Sequence, residues 1–301
     1  MSHTIGMKKK EITIISGKGG VGKTTVSSSL LYLMNRDGLG VVAADADVDT
    51  PSLHLAMGFR PIEERNLTLS SKAKIGNKCI LCGRCVEKCP FGAIVMNERP
   101  RVIPYMCDGC SICLKACPVG AISLEPAVAG KLVVGESRYG FPMVTAQLNV
   151  GEHNSGLLVN EVRKKALEIC NSTGREFVVT DGAPGIGCPV IASLSATDYA
   201  LVVTEPTPEA LQGAERILEI TTHFGVPAGV VLNKHDMSDF GEEMLRKFES
   251  SKIEVLGKIP LDFSVVESLS NAEPVVAYRP DSPAARSLFD LYERLREVVL
   301  P

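Results

Sequence analysis

The sequence predicts an α/β fold, a mostly parallel sheet with helices on both faces. Three observations predict it. A glycine-rich turn, Ser16-Gly17-Lys18-Gly19-Gly20-Val21-Gly22-Lys23-Thr24-Thr25, stands between a short apolar strand and an apolar-striped helix. Two further apolar runs end in acids, Val41-Val42-Ala43-Ala44-Asp45 and Phe177-Val178-Val179-Thr180-Asp181, and continuous apolar strands are those of a sheet buried on both sides. The second half then alternates strand and helix patterns, as chains built from repeated βα units do.

Glu11 to Ile15 is the first strand, and the helix over 26–34 carries Val26, Leu30, Leu31 and Leu33 at helical spacing. Between them, G-x-x-x-x-G-K-T has the strand-turn-helix context of a P-loop. Its residues Gly17, Gly19, Gly20, Val21, Gly22 and Thr25 let backbone N–H groups curl around a phosphate chain at a helix N-terminus. Lys23 reaches the β- and γ-phosphates, and the Thr24 hydroxyl ligates Mg²⁺. Lys18 is not required by that motif; it is a cation beside an anion site. The second strand opens into Asp45-Ala46-Asp47-Val48-Asp49-Thr50-Pro51-Ser52, carboxylates at the strand end where open α/β sheets bind ligands.

The 301 residues suffice for one large α/β domain plus a small module, with 45% hydrophobic and 22% charged residues as in ordinary globular chains. Residues 1–10 read as a polar lead-in, with Met7 a second candidate start. No apolar run reaches the length of a membrane span and no signal peptide opens the chain. A net charge of −3 argues against bulk nucleic-acid binding. The composition therefore predicts a cytoplasmic protein with neither nucleic acid nor membrane as partner.

Ten cysteines are the anomaly, and eight fall between positions 79 and 117 in two copies of one pattern. Cys79, Cys82, Cys85 and Cys89 precede Pro90; Cys107, Cys110, Cys113 and Cys117 precede Pro118. The flanks repeat as well, Phe91-Gly92-Ala93-Ile94 answering Val119-Gly120-Ala121-Ile122. A metal site is the expectation for such spacing in a chain without a secretion signal; paired C-x-x-C also suits tetrahedral zinc. Residues 60–126 carry ten Lys and Arg against six Asp and Glu, a formal +4 against −7 for the remainder. That excess fits an anionic cofactor or a basic docking face.

Downstream, Lys131 to Gly135 and Pro142 to Leu148 read as a hairpin, and Asn154-Ser155-Gly156 starts a helix to about Asn171. Strands at 199–204, 228–232 and 253–256 alternate with helices at 208–223 and 240–249. The final helix over 283–299 balances Arg286, Arg294 and Arg296 against Asp290, Glu293 and Glu297, which suits docking on a core more than on a membrane. Asn233-Lys234-His235-Asp236 ends a strand with the N-K-x-D pattern by which many GTPases select guanine. Cys170 reads as packing, and Cys188 stands at a predicted helix start.

The glycine-rich run with Lys18 resembles the deviant P-loop of the MinD, ParA and Mrp ATPases, a group that includes the nitrogenase iron protein. The resemblance implies hydrolysis of ATP, with a homodimer forming on ATP binding and Lys18 crossing to the partner's nucleotide. It implies that Lys18, Lys23 and Asp47 are catalytic, Asp47 orienting the attacking water. Asp45 and Asp181 would support Mg²⁺ with Thr24, and the backbone of Gly182 to Gly185 would sense the γ-phosphate. Asn233 would read adenine, and Pro260 to Asp262 would pack on the base. The cysteine runs resemble those of bacterial two-cluster ferredoxins, which implies an inserted α+β domain over 60–126 within an ATPase domain of 1–59 and 127–301. One 4Fe–4S cluster would take Cys79, Cys82, Cys85 and Cys117; the other would take Cys89, Cys107, Cys110 and Cys113. Mrp proteins use a C-x-x-C late in the chain, which this sequence lacks, so Cys188 reads as structural. The implied function is an ATPase coupled to electron transfer through two clusters toward a redox partner. The alternative is an Fe–S carrier of the Mrp type that delivers clusters to an acceptor protein.

Overall fold

The computed structural model describes residues 9–299. The lead-in read at residues 1–10, with its candidate start at Met7, lies outside the described residues except for Lys9 and Lys10, and Lys10 already belongs to the first strand. The chain opens with β1 (Lys10–Ser16), α1 (Lys23–Arg36), β2 (Val41–Asp45), α2 (Leu53–Ala56) and β3 (Arg60–Leu67). A small cysteine-bearing unit follows: β4 (Ser70–Ile75), α3 (Arg84–Lys88), β5 (Ile94–Met96), β6 (Pro100–Val102), α4 (Ile112–Ala116) and β7 (Ile122–Ala127). Next come β8 (Gly130–Glu136), β9 (Pro142–Leu148), α5 (Ser155–Ser172), β10 (Phe177–Pro184), α6 (Cys188–Leu194), β11 (Tyr199–Thr204) and α7 (Pro208–His223). The chain ends with β12 (Ala228–Asn233), α8 (Phe240–Ser250), β13 (Val255–Ile259), α9 (Ser264–Ser270), α10 (Val275–Tyr278) and α11 (Pro283–Val299).

Nine strands form one sheet in the order β13-β12-β11-β1-β10-β2-β9-β8-β3. The strands from β13 to β9 run parallel, and β8 turns the edge antiparallel against both β9 and β3. The apolar strands are continuous because both faces are covered. On one face Ile12, Ile14, Val41 and Ala43 pack under α1, α10 and α11. On the other, Val42, Ala44 and Val178 pack under α5, while Ile15, Val202 and Val230 pack under α7 and α8. The final helix seals the first face with Leu288, Leu291, Tyr292 and Leu295, all fully buried, as its apolar stripe requires.

A buried ion pair ties the two layers. Arg163 on α5 donates from Nε and Nη2 to the two carboxylate oxygens of Glu11 on β1, at 2.7 and 2.8 Å. Thr180 adds a third hydrogen bond to Glu11, at 2.9 Å. A bidentate pair of this kind fixes the angle of a helix on a sheet more surely than apolar contact does.

The structure differs from the sequence reading at one boundary. The segment from Arg60 to Leu67 pairs with β8 over its whole length, from Arg60 opposite Glu136 to Leu67 opposite Gly130. It is the outer edge of the large sheet and not part of the cysteine-bearing unit. Its composition hides this: Arg60, Glu63, Glu64 and Arg65 are exposed, and only Leu67 is buried. Charged side chains on an exposed edge strand discourage pairing with other chains, at the cost of the apolar signal. The cysteine unit thus leaves the sheet between Leu67 and Ser70 and returns between Ala127 and Gly130.

Candidate functional site

The P-loop and the two strand-end acids meet where β1, β2 and β10 end side by side, with Asp45 in register with Asp181, and form the candidate nucleotide site. α1 begins at Lys23, and Gly22 before it is left-handed (φ 97°) with no side-chain cap. The first N–H groups of this helix thus have neither an intrahelical acceptor nor a side-chain cap, which is the arrangement that binds phosphate. Gly17 is required for another reason: a Cβ there would stand 2.1 Å from the backbone of Gly213 on α7. Gly20 is left-handed too (φ 81°), Gly19 and Val21 complete the turn, and Thr25 lies in the first turn of α1.

Three carboxylates and one ammonium share the floor. Lys23 Nζ lies 3.8 Å from Asp47 Oδ2, and its side chain is only 7% exposed. Thr24 Oγ1 donates to Asp181 Oδ2 (2.8 Å), and Ser27 Oγ donates to Asp181 Oδ1 (2.9 Å). Asp45 Oδ2 accepts from the Leu53 N–H, while its Oδ1 is buried without any hydrogen-bond partner. An orphaned buried carboxylate oxygen is costly, and a cation would satisfy it. Burial pushes the Asp181 carboxyl up to about 7; Lys23 opposes the rise, Asp45 adds to it, and the bonds from Thr24 and Ser27 hold it back. Asp47 is raised as well, by burial first, with Lys23 opposing and Asp45 adding.

Two side chains that the sequence singled out are held within the chain. Lys18 Nζ pairs with Glu205 Oε1 at 3.3 Å, and Lys234 Nζ pairs with Glu205 Oε2 at 2.8 Å while donating to the Gly20 carbonyl. Asn233 Nδ2 donates to the Val21 carbonyl at 2.7 Å. The N-K-x-D segment thus braces the P-loop from the end of β12, two strands away from β1 in the sheet. Glu205, which links both lysines, gave no sequence signal: it lies 187 residues from Lys18. Pro260 follows β13, but Asp262 is spoken for. Its Oδ1 accepts from Ser264 N and Oγ, and its Oδ2 accepts from Ala284 N, so it caps α9 and α11. Those bonds hold its carboxyl below the usual range against the opposing effect of burial, the largest single influence on it.

The cysteine unit repeats with an offset of 28 residues. Leu81 and Gly109, Gly83 and Ser111, and Gly92 and Gly120 all adopt left-handed backbone, with φ between 60° and 74°. For Leu81 and Ser111 that conformation is strained and persists only where the surroundings impose it. Here the two runs line two cavities, with Cys85, Cys107 and Cys113 buried and Cys82 and Cys110 exposed. One, of about 10 Å³, is lined by Cys79, Cys82, Cys85 and Cys117. The other, also about 10 Å³, is lined by Cys107, Cys110, Cys113 and Cys89. Each cavity thus takes three thiols of one run and the last thiol of the other, and the near-equal volumes follow the repeat. Among the described residues no group of three or more His, Cys, Asp or Glu closes on a single metal ion. The Ala93 N–H points at Cys89 Sγ (3.3 Å) and the Ala121 N–H at Cys117 Sγ (3.2 Å). Such amides draw the half-buried Cys117 thiol below its ordinary pKa, whereas burial first, then neighbouring thiols, push Cys85 and Cys113 up.

A polar path joins the cavities to the acid loop. Leu148 N donates to the Val48 carbonyl, between Asp47 and Asp49. Just beyond β9, Glu152 pairs with Lys72 at 2.8 Å, both well shielded, and Lys72 Nζ donates to the Cys107 carbonyl at 2.8 Å. Cys170 is buried, its Sγ on the Arg175 carbonyl. Cys188 is exposed at the start of α6.

Residues 12–275 match the model of the CobQ/CobB/MinD/ParA nucleotide-binding domain. The chain belongs to that family. It is an ATP-binding P-loop ATPase of the MinD/ParA type. It is 34% identical to an uncharacterized protein of Methanocaldococcus jannaschii over 96% of this chain and 97% of that one. It is 26% identical to an iron–sulfur cluster carrier protein of Pyrococcus abyssi, over 95% of this chain and 85% of that one. In structure it resembles the cell division ATPase MinD of Pyrococcus furiosus, with a TM-score of 0.60 at 19% identity over 97% of this chain and all of that one. The fold class read from the sequence, an α/β fold with a mostly parallel sheet, is thereby established. Among the described residues no helix is long and apolar enough to cross a membrane.

Proposed function

We propose that this ATPase is a nucleotide-gated redox protein of the cytoplasm, in which residues 68–129 form an inserted ferredoxin-type module with two 4Fe–4S clusters. The observation that supports it best is the crossed lining of the two cavities, in which thiols distant in sequence meet around spaces of equal size. Cys79, Cys82, Cys85 and Cys117 would hold one cluster; Cys89, Cys107, Cys110 and Cys113 would hold the other. Such centres supply one-electron transfer at potentials tuned by hydrogen bonds to sulfur, and the Ala93 and Ala121 amides are placed to make such bonds. Eight thiols interlocked across two runs favour resident clusters over a labile one.

In the nucleotide half, the P-loop amides and Lys23 would bind the phosphates, and Thr24, Asp45 and Asp181 would hold the Mg²⁺ shell. Asp47, raised in pKa and beside Lys23, suits orienting the attacking water and taking its proton. A homodimer formed on ATP binding would carry Lys18 to the partner's nucleotide, which requires Lys18 to leave Glu205. The acid loop would then move β9 through the Leu148–Val48 hydrogen bond, and Glu152 with Lys72 would pass that movement to the Cys107 loop.

The test is electron paramagnetic resonance of the reduced protein with and without Mg–ATP. ATP is expected to change the cluster signals or their rate of reduction, and no change in either would sink the coupling. Glu152→Gln should keep both clusters and lose at least half of the ATP-induced change; an unaltered response would remove the Lys72 path from the reading. The second reading, a cluster carrier, is favoured by the likeness to iron–sulfur cluster carrier proteins of Pyrococcus abyssi and Aquifex aeolicus. Prompt transfer of iron and sulfide to an apo-ferredoxin would decide for it.

Magnesium should also displace a proton. Asp181 is pushed up to about 7 in the folded chain from an ordinary value near 4. The ligand-free fold therefore binds the extra proton between those values. The stability it contributes is full below about pH 4 and is lost as pH rises toward about 7. Mg–ATP affinity should accordingly rise with pH, by up to about tenfold per unit, and level off above about 7. Calorimetry at pH 6 in two buffers of different ionisation enthalpy should detect release of up to about one proton; identical heats would overturn the assignment.

A further inference from the structure

The wall that separates the two cavities from solvent is shared with a third feature. A groove of about 750 Å³ runs between β4 and the β5–β6 hairpin. Ala73 borders both this groove and the cavity of the Cys107 run, and Ile75 and Pro100 border both the groove and the cavity of the Cys79 run. The groove floor is therefore a single layer of small or apolar side chains behind which both sets of thiols lie. The three residues that groove and cavities share, Ala73, Ile75 and Pro100, carry no polar side chain.

Its rim is basic. Arg99 and Arg101 are exposed and form no ion pair among the described residues. Lys74, 63% exposed, is paired with Glu125 at 2.6 Å, and Glu98 is the acid on the hairpin tip. Unpaired exposed guanidinium groups around an apolar floor carry charge complementarity toward carboxylates. Arg99, Arg101 and Lys74 against Glu98 and Glu125 leave the rim a formal +1, part of the +4 carried by residues 60–126.

We propose that this groove docks an acidic one-electron carrier protein, of the flavodoxin or acidic ferredoxin kind, and that Arg99 and Arg101 steer it. The inference rests on the redox reading above and names its partner class. In the step it implies, the carrier's anionic flavin hydroquinone gives up one electron and becomes the neutral semiquinone. The thiolate-bound centre behind the groove gains that electron. No bond forms or breaks, and no proton moves.

The test uses the anaerobically purified full chain, with reduced flavodoxin as the electron donor and photoreduced deazaflavin as a small neutral donor. Oxidised flavodoxin supplies a binding measurement by calorimetry. Wild-type reduction by flavodoxin should slow by about tenfold between low ionic strength and about 0.3 M salt, since steering by surface charge is screened. Arg99→Glu with Arg101→Glu should weaken flavodoxin binding and slow flavodoxin-driven reduction by about tenfold at low salt. Iron content and reduction by deazaflavin should stay as in wild type. Arg99→Gln with Arg101→Gln should give an intermediate loss, and it serves if the reversed variant fails to fold. Salt-independent reduction of the wild type, or an unchanged flavodoxin rate in both variants, would overturn the docking site. A wild-type protein that neither donor reduces would instead overturn the redox reading beneath it.

Discussion

Replacing Cys89 by alanine is expected to remove the iron held by Cys107, Cys110 and Cys113 and to spare that held by Cys79, Cys82 and Cys85, its own neighbours in sequence. Iron per chain should fall by about half, and one of two reduced-state signals should vanish. The expectation follows from where the thiol points: Cys89 lines the cavity of the second run, together with Cys107, Cys110 and Cys113. Pairs of substitutions separate this from an uncrossed arrangement. Cys89→Ala with Cys110→Ala should cost no more iron than either change alone, because both strip one site. Cys89→Ala with Cys82→Ala should empty both. Iron and sulfide assays on anaerobically purified variants read the outcome directly, and a reversed pattern would show each run closing on itself. About one zinc per four thiolates in the wild type would end the cluster assignment altogether.

What the sequence made legible was whatever the chain writes contiguously or repeats. The P-loop spans ten adjacent residues, so its spacing carries its chemistry, and each acid at a strand end follows an apolar run that can be seen without the fold. The cysteine runs were legible because the pattern occurs twice with its flanks. Groups that act from elsewhere in the chain were not. Glu205 joins Lys18 and Lys234, and Arg163 joins Glu11, yet each is an ordinary charged residue in its local context. The strand at Arg60–Leu67 was hidden because an exposed edge keeps charge where an interior strand would keep valine. Asp262 carries a second role that its P-x-D context did not announce: its carboxylate closes the open ends of two helices, which depends on Ala284 arriving from the final helix. The path from Val48 through Glu152 to Lys72 is invisible for the same reason, since its members come from three separate segments.

Lys23→Ala is expected to lower ATP hydrolysis by about 10²–10³-fold, the usual cost of removing one preorganised donor from developing charge. Two consequences separate, and both come from the geometry. Toward the nucleotide, Lys23 is the buried ammonium at the helix start, and the P-loop amides that remain are dipoles without net charge. Binding of a fluorescent ATP analogue should weaken less than turnover falls if Lys23 acts mainly on the transition state. Toward the protein, Lys23 is the cation that opposes the raised pKa of both Asp47 and Asp181. Without it those carboxylates, with Asp45 beside them, face one another in a dry site. Leaving buried charge uncompensated costs about 3–5 kcal/mol, and the chain can escape part of that by taking up protons. The ligand-free variant should therefore lose more stability at pH 8 than at pH 6, since the Asp181 carboxyl, already pushed up to about 7, is protonated at the lower pH and charged at the higher. Melting curves at the two values check this beside phosphate-release assays, with Lys23→Met as the version that keeps the side-chain volume. Hydrolysis within threefold of wild type would remove Lys23 from the site, and a pH-independent loss of stability would show that its role toward the three acids is packing and not charge.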